Sequence, residues 1–372
     1  MSENNNNDFD TQTADGNIRK GPPIPRLERI GAFRIEKTLS SGSGGTVYLA
    51  FDESMKRRVA LKVLHPSLSI TAKAQERFAR EAWIAGQLEH TNIIRVHSRG
   101  EEKGLNYIAL EFAEGGSLSD FIKQLRNEVQ SKDLSITSNR EHMKSIVSKF
   151  VELANALEYI HSKGFIHRDI KPHNILLAGT DKKFKLTDFG IAHADDMTKM
   201  TRQGDFMGTI HYMSPEQITA HRTTVDKRTD IYSLGVTLYE VLTLSLPFDG
   251  DSEEKLIGEI ISGHYIPARK RLRTIPKDLE TILMKATHHD ASRRYQSAKE
   301  FADDLQRFIE LKPIVARPDS IFYKAGKTLS LKRRTNQVAA GVIVVLLAGG
   351  IIIAKVQQDK YDKEKILTSL RR

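Results

Sequence analysis

The 372-residue sequence contains no cysteine. This absence excludes a disulfide scaffold, a zinc site built on thiolates and a cysteine nucleophile. It also fits a reducing compartment. The first 20 residues are polar and rich in asparagine, without an apolar run, so we expect no secretory signal there. Residues 1–29 are predicted to be a disordered N-terminal segment because they combine this polarity with a cluster of prolines.

The composition fits a globular protein with a large core, since 39% of the residues are hydrophobic and 28% are charged. The formal net charge is +10. An excess of basic residues is typical of proteins that bind nucleic acid, a membrane surface or an acidic ligand such as a nucleotide, and also of a merely solvated basic surface. No basic and aromatic module of a nucleic-acid binder is present, so we predict no nucleic-acid partner.

The order of predicted elements indicates an α+β protein with two lobes. Short β-rich runs between residues 33 and 111 enclose one helix-like stretch, 72–89, whose apolar positions include Phe78 and Trp83. After Gly115 and Gly116 the pattern is mainly helical. The predicted helices cover 117–126, 143–162, 228–245, 252–262, 278–288 and 297–310. We therefore predict a small β-rich lobe at 30–114 and a larger helical lobe at 115–310.

The C-terminal part has a different character. Residues 311–337 read as a basic juxtamembrane linker, and 338–354 contain no charged residue. At 1.5 Å per residue this run would span about 25 Å as a helix, close to the thickness of a bilayer core. A buried core helix is the alternative, but the preceding domain already looks complete. We predict a transmembrane helix at 338–354 and a short extracytoplasmic tail at 355–372.

A glycine-rich segment between two strand-like runs is the first chemical signal. It comprises Leu39, Ser40, Ser41, Gly42, Ser43, Gly44, Gly45, Thr46 and Val47. Glycines let backbone N–H groups approach phosphate oxygens closely. The segment leads into a strand rather than a helix, which favours a lid over phosphates and excludes a dinucleotide-binding turn. Lys62 ends the strand-like run VALK, where its charge can meet the α- and β-phosphates, and Glu81 can orient it.

The segment His167-Arg168-Asp169-Ile170-Lys171-Pro172-His173-Asn174 is far more specific. Transfer of a phosphoryl group to a hydroxyl requires a proton acceptor, which Asp169 can supply. Lys171 can offset charge on the transferring group, and Asn174 offers a carbonyl oxygen to a hard metal ion. The triplet Asp188-Phe189-Gly190 follows and adds a carboxylate for the same Mg²⁺.

These motifs resemble those of the bacterial Hanks-type serine/threonine protein kinases, including membrane-anchored members. The resemblance extends over about three quarters of the chain and continues through Gly208 to Glu216, Asp230 to Gly235, and Arg294-Tyr295. It implies the two-lobed kinase fold, ATP with Mg²⁺ or Mn²⁺ as cofactor, and serine and threonine side chains of proteins as substrates. Kinase activity requires cytosolic ATP, so the kinase domain is expected to be cytoplasmic in a single-pass membrane protein.

The resemblance also implies roles for residues that pattern alone does not assign. Leu39, Val47, Ala60 and Leu176 would enclose the adenine, and the backbone of Glu111 and Ala113 would bind its edge. Glu216 would pair with Arg294, and Asp230 would brace the catalytic loop. Lys171 with Thr209 matches the serine/threonine-specific pattern. Thr198 and Thr201 are the activation-loop phosphoacceptor candidates, with autophosphorylation in trans within a homodimer, and a phosphate there would pair with Arg168.

Two departures from the family pattern bear on activity. Ser40 replaces the first glycine of the loop, which is tolerable if its φ is negative. Ala85 stands where a larger apolar side chain is usual, and a smaller contact there would loosen the active arrangement. The alternative function is therefore a catalytically weak pseudokinase that binds nucleotide and partners as a scaffold, although every expected catalytic residue is present.

Overall fold

The computed structural model describes residues 27–42, 45–65, 72–132, 140–189, 207–219 and 225–317. Two lobes are present, as the sequence predicts. The first is built on a six-stranded antiparallel sheet with the order β1-β2-β3-β4-β6-β5. Its strands are β1 (Arg29–Ile30), β2 (Phe33–Gly42), β3 (Gly45–Asp52), β4 (Arg57–Leu64), β5 (Val96–Glu102) and β6 (Leu105–Glu111). Helix α1 (Ala72–Gly86) lies between β4 and β5 in the chain.

The second lobe is mainly helical. Its helices are α2 (Leu118–Lys132), α3 (Arg140–Ser162), α4 (Met207–Ile210), α5 (Pro215–Ile218), α6 (Arg228–Thr243), α7 (Glu253–Ser262), α8 (Ala268–Arg271), α9 (Lys277–Ala286) and α10 (Ala298–Ile309). A two-stranded antiparallel sheet, β7 (Ile175–Ala178) and β8 (Lys183–Leu186), lies between the helices and the cleft. Helix α2 runs six residues past its predicted end at 126.

Helix α6 is the centre of the second lobe. Every residue from Thr229 to Leu242 is buried, as expected of a helix that is packed on all sides. Its backbone approaches α9 so closely at Gly235 that a Cβ atom there would lie 2.9 Å from the Cβ of Ala286. Apolar residues of α3, α6, α9 and α10 form one large core, which fixes the floor of the cleft between the lobes.

The polypeptide remains packed beyond the last helix. Ile314 is 3% exposed and belongs to the large core. The buried carboxylate of Asp304 accepts hydrogen bonds from the backbone N–H groups of Val315 at 2.7 Å and Ala316 at 2.8 Å. Arg317 lies 3.1 Å from Asp278. The first seven residues of the predicted linker, 311–317, are thus held against the helical lobe.

We expect a chain of residues 27–312 to be about 2–4 kcal/mol less stable than one of residues 27–317. The shorter chain loses the burial of Ile314 and both backbone donors to Asp304. Urea unfolding of the two chains would measure the difference. Val315→Ala in the longer chain is the matched control, because Val315 is 66% exposed and should leave stability unchanged. Equal unfolding midpoints for the two chains would show that residues 313–317 do not stabilise the domain.

No helix within the described ranges is long and apolar enough to cross a membrane. The predicted span at 338–354 and the tail at 355–372 lie outside those ranges, as do residues 1–26 and the linker beyond Arg317.

Candidate active site

The predicted phosphate loop, Leu39 to Val47, forms the tip of the β2–β3 hairpin. Ser43 and Gly44 lie outside the described residues. The Oγ of Ser41 and the Oγ1 of Thr46 face each other across the hairpin at 3.1 Å, within hydrogen-bond distance. This cross-strand contact holds the two sides of the hairpin together next to its tip.

Two positions in the hairpin test the predictions about glycine. Gly45 has a φ of +151°, and a Cβ atom there would lie 2.2 Å from the carbonyl oxygen of Val63, so a glycine is required. Ser40 pairs with Val47 and is not among the described residues with positive φ. Ser40 therefore has the negative φ that a serine at this position requires, and its Cβ causes no backbone strain.

Strand β4 presents alternate residues to opposite sides of the sheet. Val59, Leu61 and Val63 pack into the core of the first lobe, whereas Ala60 and Lys62 share the other face. Because Lys62 reaches α1 and the second lobe, this face lines the cleft. The period of two along the strand therefore places the predicted adenine contact and the predicted phosphate-binding lysine side by side.

Lys62 is the centre of an ion cluster that joins the lobes. Its Nζ lies 2.6 Å from Glu81 Oε1 and 2.6 Å from Asp188 Oδ1. Burial by itself would lower the pKa of Lys62, but the two carboxylates outweigh it and the pKa is raised, so the amine stays charged. Burial raises the pKa of Glu81 against the opposing effect of the ammonium. Burial by itself would raise the pKa of Asp188, but Lys62 outweighs it and the pKa is lowered.

The predicted adenine end of the cleft lies where β6 leads into the second lobe. Ala113 is buried and packs near Leu176 of β7. The carboxylate of Glu111 is held by Lys185 Nζ at 2.6 Å, and its backbone N–H donates to the carbonyl of Arg95 at 2.9 Å. These bonds fix the segment against both lobes. Leu39, at 39% exposure, stands at the outer edge of the hairpin.

The catalytic loop brings three of its predicted residues into direct contact. Asn174 Nδ2 donates to Asp169 Oδ2 at 2.7 Å and to the Asp169 carbonyl at 2.8 Å. Lys171 Nζ lies 3.0 Å from the same Asp169 oxygen and donates to Thr209 Oγ1 at 3.3 Å. Two neighbours thereby orient the carboxylate. The cationic one, Lys171, also connects it to helix α4, where Thr209 lies.

Asp230 anchors this loop from helix α6. Its buried carboxylate accepts the backbone N–H groups of His167 at 2.9 Å and Arg168 at 2.8 Å. His161 Nε2 lies 2.7 Å from the same carboxylate, a contact that sequence reasoning missed and that no local pattern signals. Arg168 adopts a left-handed φ of +67°, and the bonds to Asp230 hold the backbone in this unfavourable conformation.

The donor set suits a hard divalent cation. The Asn174 amide nitrogen points at Asp169, which leaves its carbonyl oxygen on the other side. The backbone N–H of Thr187 donates to the backbone carbonyl of Asn174 at 3.0 Å, which places the next residue, Asp188, close to Asn174. Carboxylate and amide oxygens are the ligands that Mg²⁺ prefers. Among the described residues no group of three His, Asp or Glu side chains is placed to hold a metal ion.

Phe189 packs against the catalytic loop. Its ring centroid lies 4.8 Å from that of His167. Burial lowers the pKa of His167, and the neutral ring lies with Nε2 3.1 Å from the Thr187 carbonyl. A cavity of about 20 Å³ is lined by Phe189, Ala85 and Glu81, among other residues. That the small side chain at position 85 loosens the active arrangement stays a prediction.

The predicted pair of Glu216 and Arg294 is formed. The guanidinium donates to both carboxylate oxygens, at 2.6 and 2.8 Å. In the same short helix, Gln217 Nε2 donates to the Arg168 carbonyl at 2.8 Å, a contact that sequence reasoning missed. Ser214 and Gln217 form a capping box with the spacing S-x-x-Q, which predicts the start of the helix but not this contact. The helix thereby connects the catalytic loop to the body of the second lobe.

Thr198 and Thr201 lie outside the described residues. Near the loop that should contain them, the Nε atom of Arg168 is buried and has no hydrogen-bond partner among the residues the structure describes. A buried, uncompensated guanidinium donor is costly, so this atom fits an anion that would approach from outside the described ranges.

Comparison with known proteins places these features in context. Residues 33–305 match the protein kinase domain family. The chain is 34% identical over 277 residues to the serine/threonine-protein kinase PrkC of Bacillus subtilis, which covers 74% of this chain and 40% of PrkC. It is 37% identical over 280 residues to the serine/threonine-protein kinase PknJ of Mycobacterium tuberculosis, covering 73% of this chain and 44% of PknJ. The chain thus spans less than half the length of these curated relatives.

The fold also matches a solved structure. A double mutant of the PknI kinase domain of Mycobacterium tuberculosis superimposes with a TM-score of 0.55 at 25% sequence identity. The match covers 76% of this chain and 97% of that domain. Both lobes of the described structure are therefore accounted for by one known architecture.

Proposed function

Because the chain belongs to the protein kinase family, we propose that it transfers the γ-phosphoryl group of ATP to serine and threonine hydroxyls of proteins. The ion cluster of Lys62 with Glu81 and Asp188, at 2.6 Å each, is the observation that carries this proposal. It joins the nucleotide lysine, helix α1 and the metal-binding carboxylate in one cleft. Phosphoryl transfer by a protein kinase requires this lysine–glutamate pair and this carboxylate to be in place together.

The reaction follows from the positions of the side chains. The β2–β3 hairpin and Lys62 would hold the phosphates, and Asn174 and Asp188 would hold the Mg²⁺. The metal, when bound, neutralises charge on the phosphate oxygens. Asp169 accepts the proton of the attacking hydroxyl, and Lys171 offsets the negative charge that develops on the transferring group. The contacts of Asn174 and Lys171 keep the Asp169 carboxylate turned toward that hydroxyl.

The choice of serine and threonine is supported by Lys171 and Thr209. Their contact at 3.3 Å places a hydroxyl and an ammonium beside the proton acceptor, where the incoming side chain must fit. The curated relatives carry the same substrate class in their names. Activation by phosphorylation of Thr198 or Thr201 is part of the proposal, since a phosphate there would give a partner to Arg168 Nε, which has none among the described residues.

Anchoring to a membrane is the remaining part of the proposal. The uncharged run at 338–354 supports a single span, with the kinase domain on the cytoplasmic side. Lys332, Arg333 and Arg334 precede the span and would lie at the lipid surface, either in contact with anionic lipid or simply as flanking charges. Confinement to a membrane would raise the local concentration of the chain and favour phosphorylation in trans within a homodimer.

Intact mass spectrometry tests the proposal directly. The full-length chain, purified in detergent and freed of phosphate, is incubated with Mg²⁺ and ATP. We expect added phosphate groups, and peptide mapping of the product to place one on Thr198 or Thr201. Unchanged mass at every protein concentration, together with intact nucleotide binding, would overturn the proposal in favour of a scaffold.

A further inference from the structure

Helix α1 must hold Glu81 in a fixed position for the Lys62 cluster to exist, and its contacts divide between the two lobes. Phe78 and Ala82 pack within the first lobe, beside Leu64 of β4. Toward the second lobe the helix contributes Ile84 and Ala85 to the large core. The orientation of α1 relative to the catalytic loop therefore depends on the contacts that cross between the lobes.

One of those crossing contacts is weak. Ala85 faces the cavity of about 20 Å³ that also borders Phe189. The alanine side chain is short, so it makes fewer dispersion contacts at this point than a longer apolar side chain would make. At this point the helix has less apolar attachment to the second lobe than a longer side chain would give.

A second crossing contact lies on the outer surface of the same helix. Trp83, the single tryptophan of the chain, is 57% exposed although the apolar pattern predicts it on the buried face. Its ring meets the ring of Phe165 edge-on, with centroids 6.0 Å apart and an interplanar angle of 85°. This is the favoured geometry of an aromatic pair, which contributes more than its buried area alone.

Phe165 connects this contact to the catalytic loop. Its backbone N–H donates to the Ile160 carbonyl at 3.2 Å at the end of α3, and its ring packs against the large core. His167, two residues later, is fixed by Asp230. A displacement of Trp83 away from Phe165 would therefore move Glu81, two residues earlier on the same helix, relative to a fixed loop.

We propose that Trp83 is a positioning residue that, through its edge-on contact with Phe165, holds helix α1 and Glu81 against the catalytic loop. The inference rests on the proposed kinase function for its effect on rate. In this proposal the Trp83–Phe165 contact holds helix α1 to the second lobe, at a level of the helix where the short side chain of Ala85 contributes little.

The test compares Trp83→Ala and Trp83→Phe in the full-length chain. We expect Trp83→Ala to lower kcat by about 3- to 10-fold, the range that an aromatic pair contributes to an equilibrium, with KM for a peptide substrate unchanged. Trp83→Phe keeps an aromatic edge and should stay close to wild type. Met55→Ala is the matched control, because Met55 is another exposed large apolar residue of the first lobe, at 65% exposure.

Two further measurements separate a positioning role from other effects. Phe165→Leu removes the partner ring, and the double variant with Trp83→Ala should be no worse than the poorer single variant if both act through one contact. Hydrogen exchange should be faster in α1 of Trp83→Ala and unchanged in α6. Wild-type kcat and exchange in Trp83→Ala, equal losses in Trp83→Phe, or additive losses in the double variant would overturn the inference.

The exchange measurement does not depend on catalysis. A wild-type chain that transfers no phosphate would contradict the proposed function, while the comparison of exchange in α1 would still decide whether Trp83 holds the helix.

Discussion

Asp169→Asn should lower the rate of phosphoryl transfer by about a thousandfold, within the range that a positioned general base contributes. Asparagine has nearly the same shape and can keep a hydrogen bond to Lys171, but its amide cannot accept the proton of the attacking hydroxyl. The affinity for ATP should remain close to wild type, because Lys62 and the hairpin hold the phosphates. Initial rates on a peptide substrate and nucleotide binding, measured on the same preparation, check both expectations.

The matched control for this variant is Asp303→Asn. Asp303 is an exposed carboxylate on α10 that pairs with Lys299, far in sequence from the cleft residues. The Asp303→Asn variant loses the same charge as Asp169→Asn but outside the cleft, so its transfer rate should equal that of wild type. If Asp169→Asn kept more than a tenth of the wild-type rate, the proton would have another acceptor and the assignment of Asp169 would be wrong.

The catalytic loop was readable from the sequence because its chemistry is contiguous. Asp169, Lys171 and Asn174 lie within six successive positions, and the structure brings the same three side chains into contact. Their assigned roles stay predictions until the kinetics are measured. The two lobes were equally readable, since their strands and helices have clear periods and the change of character falls at Gly115 and Gly116.

Contacts between distant segments were not readable in the same way. His161 meets Asp230 across 69 positions of sequence, and Gln217 meets the backbone of Arg168 across 49. The sequence also did not indicate that the domain extends to residue 317. Asp304 binds the backbone at Val315, in a segment that has no helix or strand pattern. Such pairings depend on how helices pack, and no local pattern encodes them.

Trp83 illustrates a different limit. Its place in an apolar pattern predicts burial, yet the ring is largely exposed. Its aromatic partner, Phe165, is in the second lobe, and the two rings meet only edge-on. An amphipathic pattern identifies which residues are apolar but does not say which neighbour covers them. Here the apolar face of α1 is shared between two lobes, so one of its residues is only half covered.

Arg294→Ala should lower the free energy of unfolding by about 3–5 kcal/mol, the loss expected when one partner of a buried ion pair is removed. The Arg294 side chain is fully buried. Besides both oxygens of Glu216, its guanidinium binds the carbonyl groups of His288, at 2.6 Å, and His289, at 3.1 Å. It also lies 4.8 Å from the ring centroid of Tyr232, so its removal additionally opens space in the core. Urea unfolding of the variant and the wild type would measure the loss.

Two comparisons identify which part of the guanidinium matters. Arg294→Lys keeps the charge but not the planar fork that meets two carboxylate oxygens at once, so it should recover only part of the lost stability. Glu216→Gln combined with Arg294→Met removes both charges and should be less destabilising than the sum of the single changes, because neither partner is left as a buried charge. Because Gln217, next to Glu216, binds the backbone of Arg168, we also expect Arg294→Ala to reduce transfer at temperatures where the variant remains folded. A loss below about 1 kcal/mol for Arg294→Ala would place this pair with surface salt bridges and contradict its structural role.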